Sequence, residues 1–352
     1  MNFKEFQEAV VKDLPDRLPG EMQGVQMEIR HVDKLQNQSY TGLSLQTDDN
    51  PMAAGIKLDS FFKKLNAGES YNSILNQIAD EAKSVLSDMP RIDVDILGNY
   101  EQMKATLYVQ VIPTELNKDM LQNIPHREME DLSVVYRMKL GQDETGTASV
   151  LMTNEIMGIY GITAEQLHKD ALENTALNQP PTLTKHADVM RELMGDMSAV
   201  FDFGAEEKPS MFVASVEGSV GGAGVIAYPD FMDQAAGQLG GDFFILPSSV
   251  HEVLLLPDNG ETNYRDLESM VREVNASEVL PEDKLSDNVY HYDSQSRVFE
   301  LAEKFENRRQ EREENNQERP SVLAELNHMR KESKQKDSKE PSVPKKHHEE
   351  TL

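Results

Sequence analysis

The sequence predicts an α+β fold: a mixed, mostly antiparallel sheet or sheets with packed helices, followed by a disordered or helical C-terminal tail. Three observations lead there. Short apolar runs bounded by Gly, Pro or Asp alternate with amphipathic stretches at helical spacing. They follow no strict strand–helix–strand order, which argues against a parallel α/β sheet. The apolar pattern stops near residue 305, and charged and amide side chains dominate beyond it. These shifts divide the chain into an N-terminal α+β region over 1–115, a main α+β core over 116–302 and a charged tail over 303–352.

Phe3, Phe6, Val10, Val11 and Leu14 recur at helical spacing until Pro15. This predicts an opening helix whose apolar stripe faces the core. Residues 25–32 alternate apolar and polar side chains and predict a half-exposed strand with His31 at the surface. Residues 40–45, after polar Asn37-Gln38-Ser39, predict its hairpin partner. Leu58, Phe61, Phe62 and Leu65 mark a short helix ending at Gly68, and residues 71–86 a long one stopped by Met89-Pro90. Residues 106–112 read as a strand closed by Pro113. Residues 132–138 and 148–152 predict a strand pair joined by a loop from Gly141 to Gly146. Thr153-Asn154 caps a helix beginning at Glu155, and Thr163-Ala164-Glu165-Gln166 has the capping-box pattern. Pro180-Pro181 interrupts the chain before a short helix over 189–194. Residues 211–216 and 223–228 predict strands flanking a Gly-rich connection. Helices follow over 231–239 and 264–274, a last strand over 288–292, and a helix from Arg297 that loses its apolar face at Asn307-Arg308-Arg309. Val322, Leu323, Leu326 and Met329 predict one further short helix.

The most structured stretch is 241–257. Its runs 243–246 and 253–256 are short, continuous and rich in branched or aromatic residues, which suits strands buried on both faces. They meet at Pro247-Ser248-Ser249; Pro247 lacks a ladder donor and ends the first, while the turn Asp258-Asn259-Gly260 ends the second. Ser249, His251 and Glu252 invite a hydrolase reading, because residues i and i+2 share a face of extended chain. Glu252 then points to the opposite face. A triad also needs a nucleophile on a sharp turn with an oxyanion hole, and draws its members from distant segments. The structural reading of the same residues is that the serines satisfy backbone groups at the corner and that His251 and Glu252 cap a strand.

His126, between Pro125 and Arg127, is the isolated acid–base candidate, set against a turn histidine donating to the backbone. Asp242 stands at a strand end where a pocket could form. Glu217 to Gly224 invites a phosphate-loop reading. That mechanism needs a helix N-terminus after the glycines, whereas an apolar, strand-like run follows, and no Gly-Lys-Ser/Thr is present. A flexible hairpin loop is the reading taken. The nine histidines make no paired metal-ligand spacing, and His347-His348 lies in the tail. No cofactor is expected. Most of the 18 methionines fall in apolar patterns and read as core filler.

The chain has 352 residues and a net charge of −27. From Glu303 onward 12 basic residues meet 12 acidic ones, so the whole net charge lies in residues 1–302. An acidic body repels phosphate backbones, so direct nucleic-acid binding is not expected. The absence of Cys suits a reducing cytoplasm. No apolar run approaches the roughly 18 residues that span a membrane, and the first residues lack a signal-peptide pattern.

Ile124-Pro125-His126-Arg127-Glu128-Met129-Glu130-Asp131-Leu132-Ser133-Val134-Val135-Tyr136, Thr153-Asn154 and above all Leu246-Pro247-Ser248-Ser249-Val250-His251-Glu252-Val253 resemble segments of a bacterial domain-of-unknown-function family. That family is frequent in anaerobic Firmicutes and often carried on mobile elements. The resemblance covers residues 1 to about 300 and leaves out the tail; Glu217 to Gly224 departs from it. It implies a bacterial cytoplasmic setting and supplies no activity or catalytic residue. The functional expectation is a non-enzymatic accessory or interaction protein with a protein partner. The alternatives are a hydrolase-like enzyme using Ser249, His251, Glu252 and His126, and an acidic decoy that mimics DNA.

Overall fold

The structure is a computed structural model that describes residues 1–22, 24–36, 38–48, 50, 53–89, 98–143, 146–194, 210–318 and 329–330. The expectations at Asn37, Pro90, the centre of the 141–146 loop, Val322, Leu323, Leu326 and His347-His348 lie outside those residues, as does the tail over 319–328 and 331–352.

Helix α1 (Phe3–Asp13) starts at Asn2, whose side chain accepts from the Glu5 amide while the Glu5 carboxylate accepts from the Asn2 amide. The reciprocal cap satisfies two orphan donors. Strands β1 (Gln26–Lys34) and β2 (Gln38–Gln46) form the predicted hairpin, and β3 (Ala53–Lys57) adds a third antiparallel strand. Helices α2 (Asp59–Asn66) and α3 (Tyr71–Ser87) follow. Phe6 and Val10 from α1, its C-cap Leu14, Leu43, Leu45 and Ile56 from the sheet, and Ile74 and Ile78 from α3 make one closed core. The stripe of α1 is therefore structural, and His31 is exposed as expected.

A second sheet is centred on β6 (Leu132–Asp143). It pairs with β4 (Leu107–Pro113) on one side, and with β5 (His126–Met129) and β7 (Gly146–Leu151) in succession on the other. Short helices α4 (Tyr100–Met103) and α5 (Lys118–Leu121) precede β4 and β5. Helices α6 (Asn154–Tyr160) and α7 (Ala164–Asn178) come next, capped by Thr153 and Thr163. At α7 only half of the capping box forms, because the Gln166 side chain donates to Asp170 rather than returning to the cap.

The third sheet has six strands in the order β13-β12-β10-β11-β9-β8. They are β8 (Pro181–Lys185), β9 (Phe212–Val216), β10 (Phe243–Leu246), β11 (Val253–Pro257), β12 (Tyr290–Asp293) and β13 (Val298–Leu301). Helix α8 (His186–Met194) follows β8, α9 (Phe231–Leu239) precedes β10, and α10 (Tyr264–Ser277) follows β11. Every strand pair among the described residues is antiparallel. The two central runs are buried on both faces, as their sequence predicts. Phe243 and Ile245 join the core shared with the second sheet, while Phe244 and Leu246 pack against Tyr264, Leu267 and Val271 of α10. Residues 1–302 form one compact unit, and a second begins at Glu303. Helix α11 (Ala302–Glu318) supplies most of the described residues of that second unit, and in it Arg309 and Gln310 pair with Glu306 along one face.

Several expectations change. The apolar run after the glycines is not a strand but a buried 3-10 helix, Gly222–Ala227. Residues 222–226 are all buried, so the run carries no strand periodicity. Within the glycine-rich segment residues 217–220 stay exposed, whereas 221–224 are buried against the sheet rather than forming a hairpin loop. Residues 298–301 form β13, not the start of a helix. The turn before it is closed by Asp293, which accepts from the amides of Gln295 and Ser296, and by Arg297 at φ +55°. Strands β3, β5 and β8 were not expected; β3 opens with Ala53-Ala54-Gly55, and β8 begins at Pro181, residues that carry little strand signal.

The free edge of β4 is closed by side chains of α7. Thr175 Oγ1 accepts from the Val109 amide at 3.0 Å, and Asn178 Nδ2 donates to the carbonyls of Ala105 and Leu107 at 2.8 and 3.0 Å. Val109 and Thr175 are both wholly buried. Replacing Thr175→Val keeps the shape and strands the Val109 N–H, with an expected loss of about 1–3 kcal/mol in urea unfolding. Thr175→Ser should lose less, and equal losses in the two variants would contradict the role of the hydroxyl.

Candidate functional site

Three segments meet where β10 turns into β11. The Ser249 amide donates to the Glu252 carbonyl at 3.1 Å and closes the turn, and Ser249 Oγ accepts from the His251 amide at 3.0 Å. The Val250 amide donates to the Asp283 carbonyl at 2.7 Å, and Ser215 Oγ on β9 donates to the His251 carbonyl at 2.7 Å. The His251 ring is held from both sides. Its Nδ1 accepts from the Gly221 amide at 3.2 Å, and its Nε2 lies 3.1 Å from Asp283 Oδ1. A backbone N–H can only meet an unprotonated ring nitrogen, so the network assigns the proton to Nε2, which donates to Asp283. The side chains of His251 and Asp283 are 41% and 31% exposed, so the pair stands at the surface.

This geometry defines what each sequence candidate touches. Ser249 serves the backbone of His251, and the ring partners are Gly221 and Asp283. Ser248 Oγ donates to Glu252 Oε1 at 3.4 Å. A general base needs a lone pair turned toward its substrate; in His251 the Gly221 N–H takes that lone pair. His126 sits at the start of β5 in the second sheet, with Nδ1 donating to the Ile124 carbonyl at 3.0 Å. Among the described residues no hydrogen bond joins it to residues 248–252. Asp242 lies at the other end of β10, where Oδ1 accepts from the amide and hydroxyl of Ser294. Amides of the loop 217–224 are held within the fold as well: those of Ser219, Gly221, Ala223 and Gly224 donate to the Val216 carbonyl, His251 Nδ1, the Val250 carbonyl and the Gly221 carbonyl. Asp283, Gly221 and Ser215 were missed by sequence reasoning. Only the paired glycines hinted at a close backbone approach.

A groove runs nearby. One hollow of about 530 Å³ is lined by Gln38, Leu116, Asp131, Pro281, Lys284 and Asn288 among others. The adjoining one, about 780 Å³, shares Gln38, Glu115 and Leu116 with it and extends along α5 past Lys118 and Met120 to Ile124. Its roof is the tip of the β1–β2 hairpin. Gln36, at φ +67°, and Asn117 are both buried and exchange hydrogen bonds: Asn117 Oδ1 accepts from the Gln36 amide at 2.6 Å, and Asn117 Nδ2 donates to Gln36 Oε1 at 2.9 Å. Gln36 Nε2 also donates to the Lys284 carbonyl at 2.8 Å. Asp131, on the wall, accepts from Ser286 Oγ, Asn288 Nδ2 and the Tyr290 hydroxyl at 2.8, 3.0 and 2.6 Å. Burial, and then the Asp131 carboxylate, push the Tyr290 hydroxyl far above its ordinary value. Burial works against ionisation of the Asp287 carboxyl, but hydrogen bonds from Asn275 and Lys284 outweigh it and hold the group below the usual carboxylate range.

The model of a family of unknown function, DUF5688, matches residues 3–294. The chain belongs to that family. The match takes in the His251 junction and the groove, and it ends before β13. No curated protein and no solved structure matches the chain. Among the described residues no group of three or more His, Cys, Asp or Glu is placed to hold a metal, and no helix is long and apolar enough to cross a membrane.

Gly222 is where the junction is tightest, because a Cβ there would overlap Ser215 Oγ and the His251 carbonyl. Gly222→Ala should cost about 1–3 kcal/mol and disturb the His251 ring environment seen by NMR; an unshifted imidazole spectrum would contradict the packing. The Asp287 stabilisation is present above the unfolded carboxylate value, about 3.9, and fades as pH falls through the lower folded value. Urea unfolding across an acid pH series should therefore show a shallower acid limb for Asp287→Asn than for the parent chain. An identical limb would remove Asp287 from the acid response.

Proposed function

We propose that this chain is a non-catalytic accessory protein that binds a polypeptide partner, with the groove between the hairpin tip, α5 and the 281–288 loop as its recognition surface. The observation that carries the reading is the groove itself. Two adjoining hollows, of about 780 and 530 Å³, lie in the size range of ligand sites. Their lining mixes apolar Leu116, Met120 and Ile124 with Lys34, Lys118 and Lys284 and with Glu115, Asp119 and Asp287. Leu116 stands 44% exposed at the point they share. An apolar anchor ringed by charges of both signs suits a peptide segment better than a polyanion. The His251 junction supports the same reading, because its hydroxyls, ring nitrogens and carboxylates are engaged with backbone groups or with one another. A cytoplasmic setting is part of the proposal and rests on the absence of Cys.

The test is site-specific photocrosslinking in the cells that produce the protein. A photoreactive side chain at 116 should give a discrete adduct that a second substitution, Lys284→Glu, reduces. The same probe at Ile159, which is 74% exposed on α6, should give none. Equal labelling from both positions would defeat the proposal.

A further inference from the structure

Asn-Gly occurs once in this chain, at Asn259-Gly260 in the turn after β11. The surrounding groups do more than form a turn. The Gly260 amide donates to Asp258 Oδ1 at 2.8 Å. Asn259 Oδ1 accepts from the Glu261 amide at 3.0 Å and from Thr262 Oγ1 at 3.2 Å. Asp258 is itself anchored: its amide donates to the Asp242 carbonyl at 2.9 Å, and Oδ2 lies 3.0 Å from Nε2 of the wholly buried His291. Asn259 and Gly260 are exposed, and nothing approaches the position a Gly260 Cβ would take. A backbone amide with a carboxylate on its proton, beside a carboxamide whose oxygen holds two donors, has the proton acceptor and the oxyanion donors that ring closure requires.

We propose that Asn259 is a self-modification site, at which the folded turn converts the asparagine through a cyclic imide to aspartate and isoaspartate. The Gly260 nitrogen attacks Asn259 Cγ, and Asp258 Oδ1 takes the proton from that nitrogen. The negative charge that builds on Asn259 Oδ1 is held by the Glu261 N–H and the Thr262 hydroxyl. The Cγ–Nδ2 bond then breaks, the proton passes to Nδ2, and ammonia leaves. Water opens the ring at either carbonyl, so the sum is amide plus water to carboxylate plus ammonium, with no oxidant or reductant. Asp258 is the catalytic residue here, because it touches the reacting nitrogen. His291 is a positioning residue that fixes the other carboxylate oxygen. The product places a new negative charge between Asp258 and Glu261, four residues ahead of Asn263, the N-cap of α10. The isoaspartate form also lengthens the backbone of the connection between β11 and α10.

The experiment compares the full-length folded chain with a synthetic peptide of residues 254–266 at neutral pH, following isoaspartate at 259 by enzymatic methyl labelling and peptide mapping. The folded chain should convert at least about tenfold faster than the peptide. Asp258→Asn and, separately, Thr262→Val should bring the folded rate down toward the peptide's, while the same changes within the peptide alter its rate little. Asp258→Asn is read only after circular dichroism shows that it folds; Thr262→Val, in a partly exposed position, keeps the test open if it does not. A folded rate at or below the peptide's would mean that the turn protects Asn259, and the proposal would fall. It would fall equally if both variants kept the parent rate.

Discussion

The absence of a side chain at Gly222 is the constraint on which the main core turns. Ser215 on β9, the His251 carbonyl in the β10–β11 turn and the start of the 3-10 helix converge on the space a methyl group would fill. Because the backbones touch there, Ser215 can reach His251, Gly221 can reach the imidazole, and Val250 can reach both Ala223 and Asp283. Each contact is an ordinary hydrogen bond worth about 1 kcal/mol net. Together they tie three segments, remote in sequence, into one junction at the end of the sheet.

The parts of this fold that were legible in the sequence are those where local pattern and tertiary role agree. The runs 243–246 and 253–256 read as doubly buried strands, and α10 does cover one face of the pair. The stripe of α1, the β1–β2 hairpin and the caps at Thr153 and Thr163 were legible for the same reason. What failed depended on partners that no local window contains. β8 is a strand only because β9 pairs with it, and its own residues are mostly exposed. The Gly222–Ala227 helix is apolar all round because it is enclosed, so its period is invisible. The candidate site shows the same division. Ser249, His251 and Glu252 do fall together in one loop, but the partner that orients the imidazole, Asp283, comes from a turn more than thirty residues away, in a stretch without a motif.

The chain also shows how an acidic body tolerates its own charge. Among the described residues, four tyrosine hydroxyls, rather than a lysine or arginine alone, meet a carboxylate: Tyr71 on Asp13, Tyr100 on Asp170, Tyr290 on Asp131 and Tyr292 on Asp233, at 2.6–3.1 Å. A neutral donor satisfies the carboxylate without requiring a scarce cation, and the phenol gains the partner that a buried tyrosine needs. The hydroxyls respond accordingly. Burial first, and the bonded carboxylate second, push those of Tyr71 and Tyr292 up to about 12.

Those four pairs also give the molecule an optical character. With ten tyrosines and no tryptophan, its intrinsic emission is tyrosine emission alone. A phenol bonded to a carboxylate can lose excitation by passing its proton in the excited state, so weak emission is expected from these four positions in the folded chain. Separation of a pair is then expected to brighten the chain, which makes its light a reporter on the N-terminal helices, α7, the groove wall and the third sheet from within.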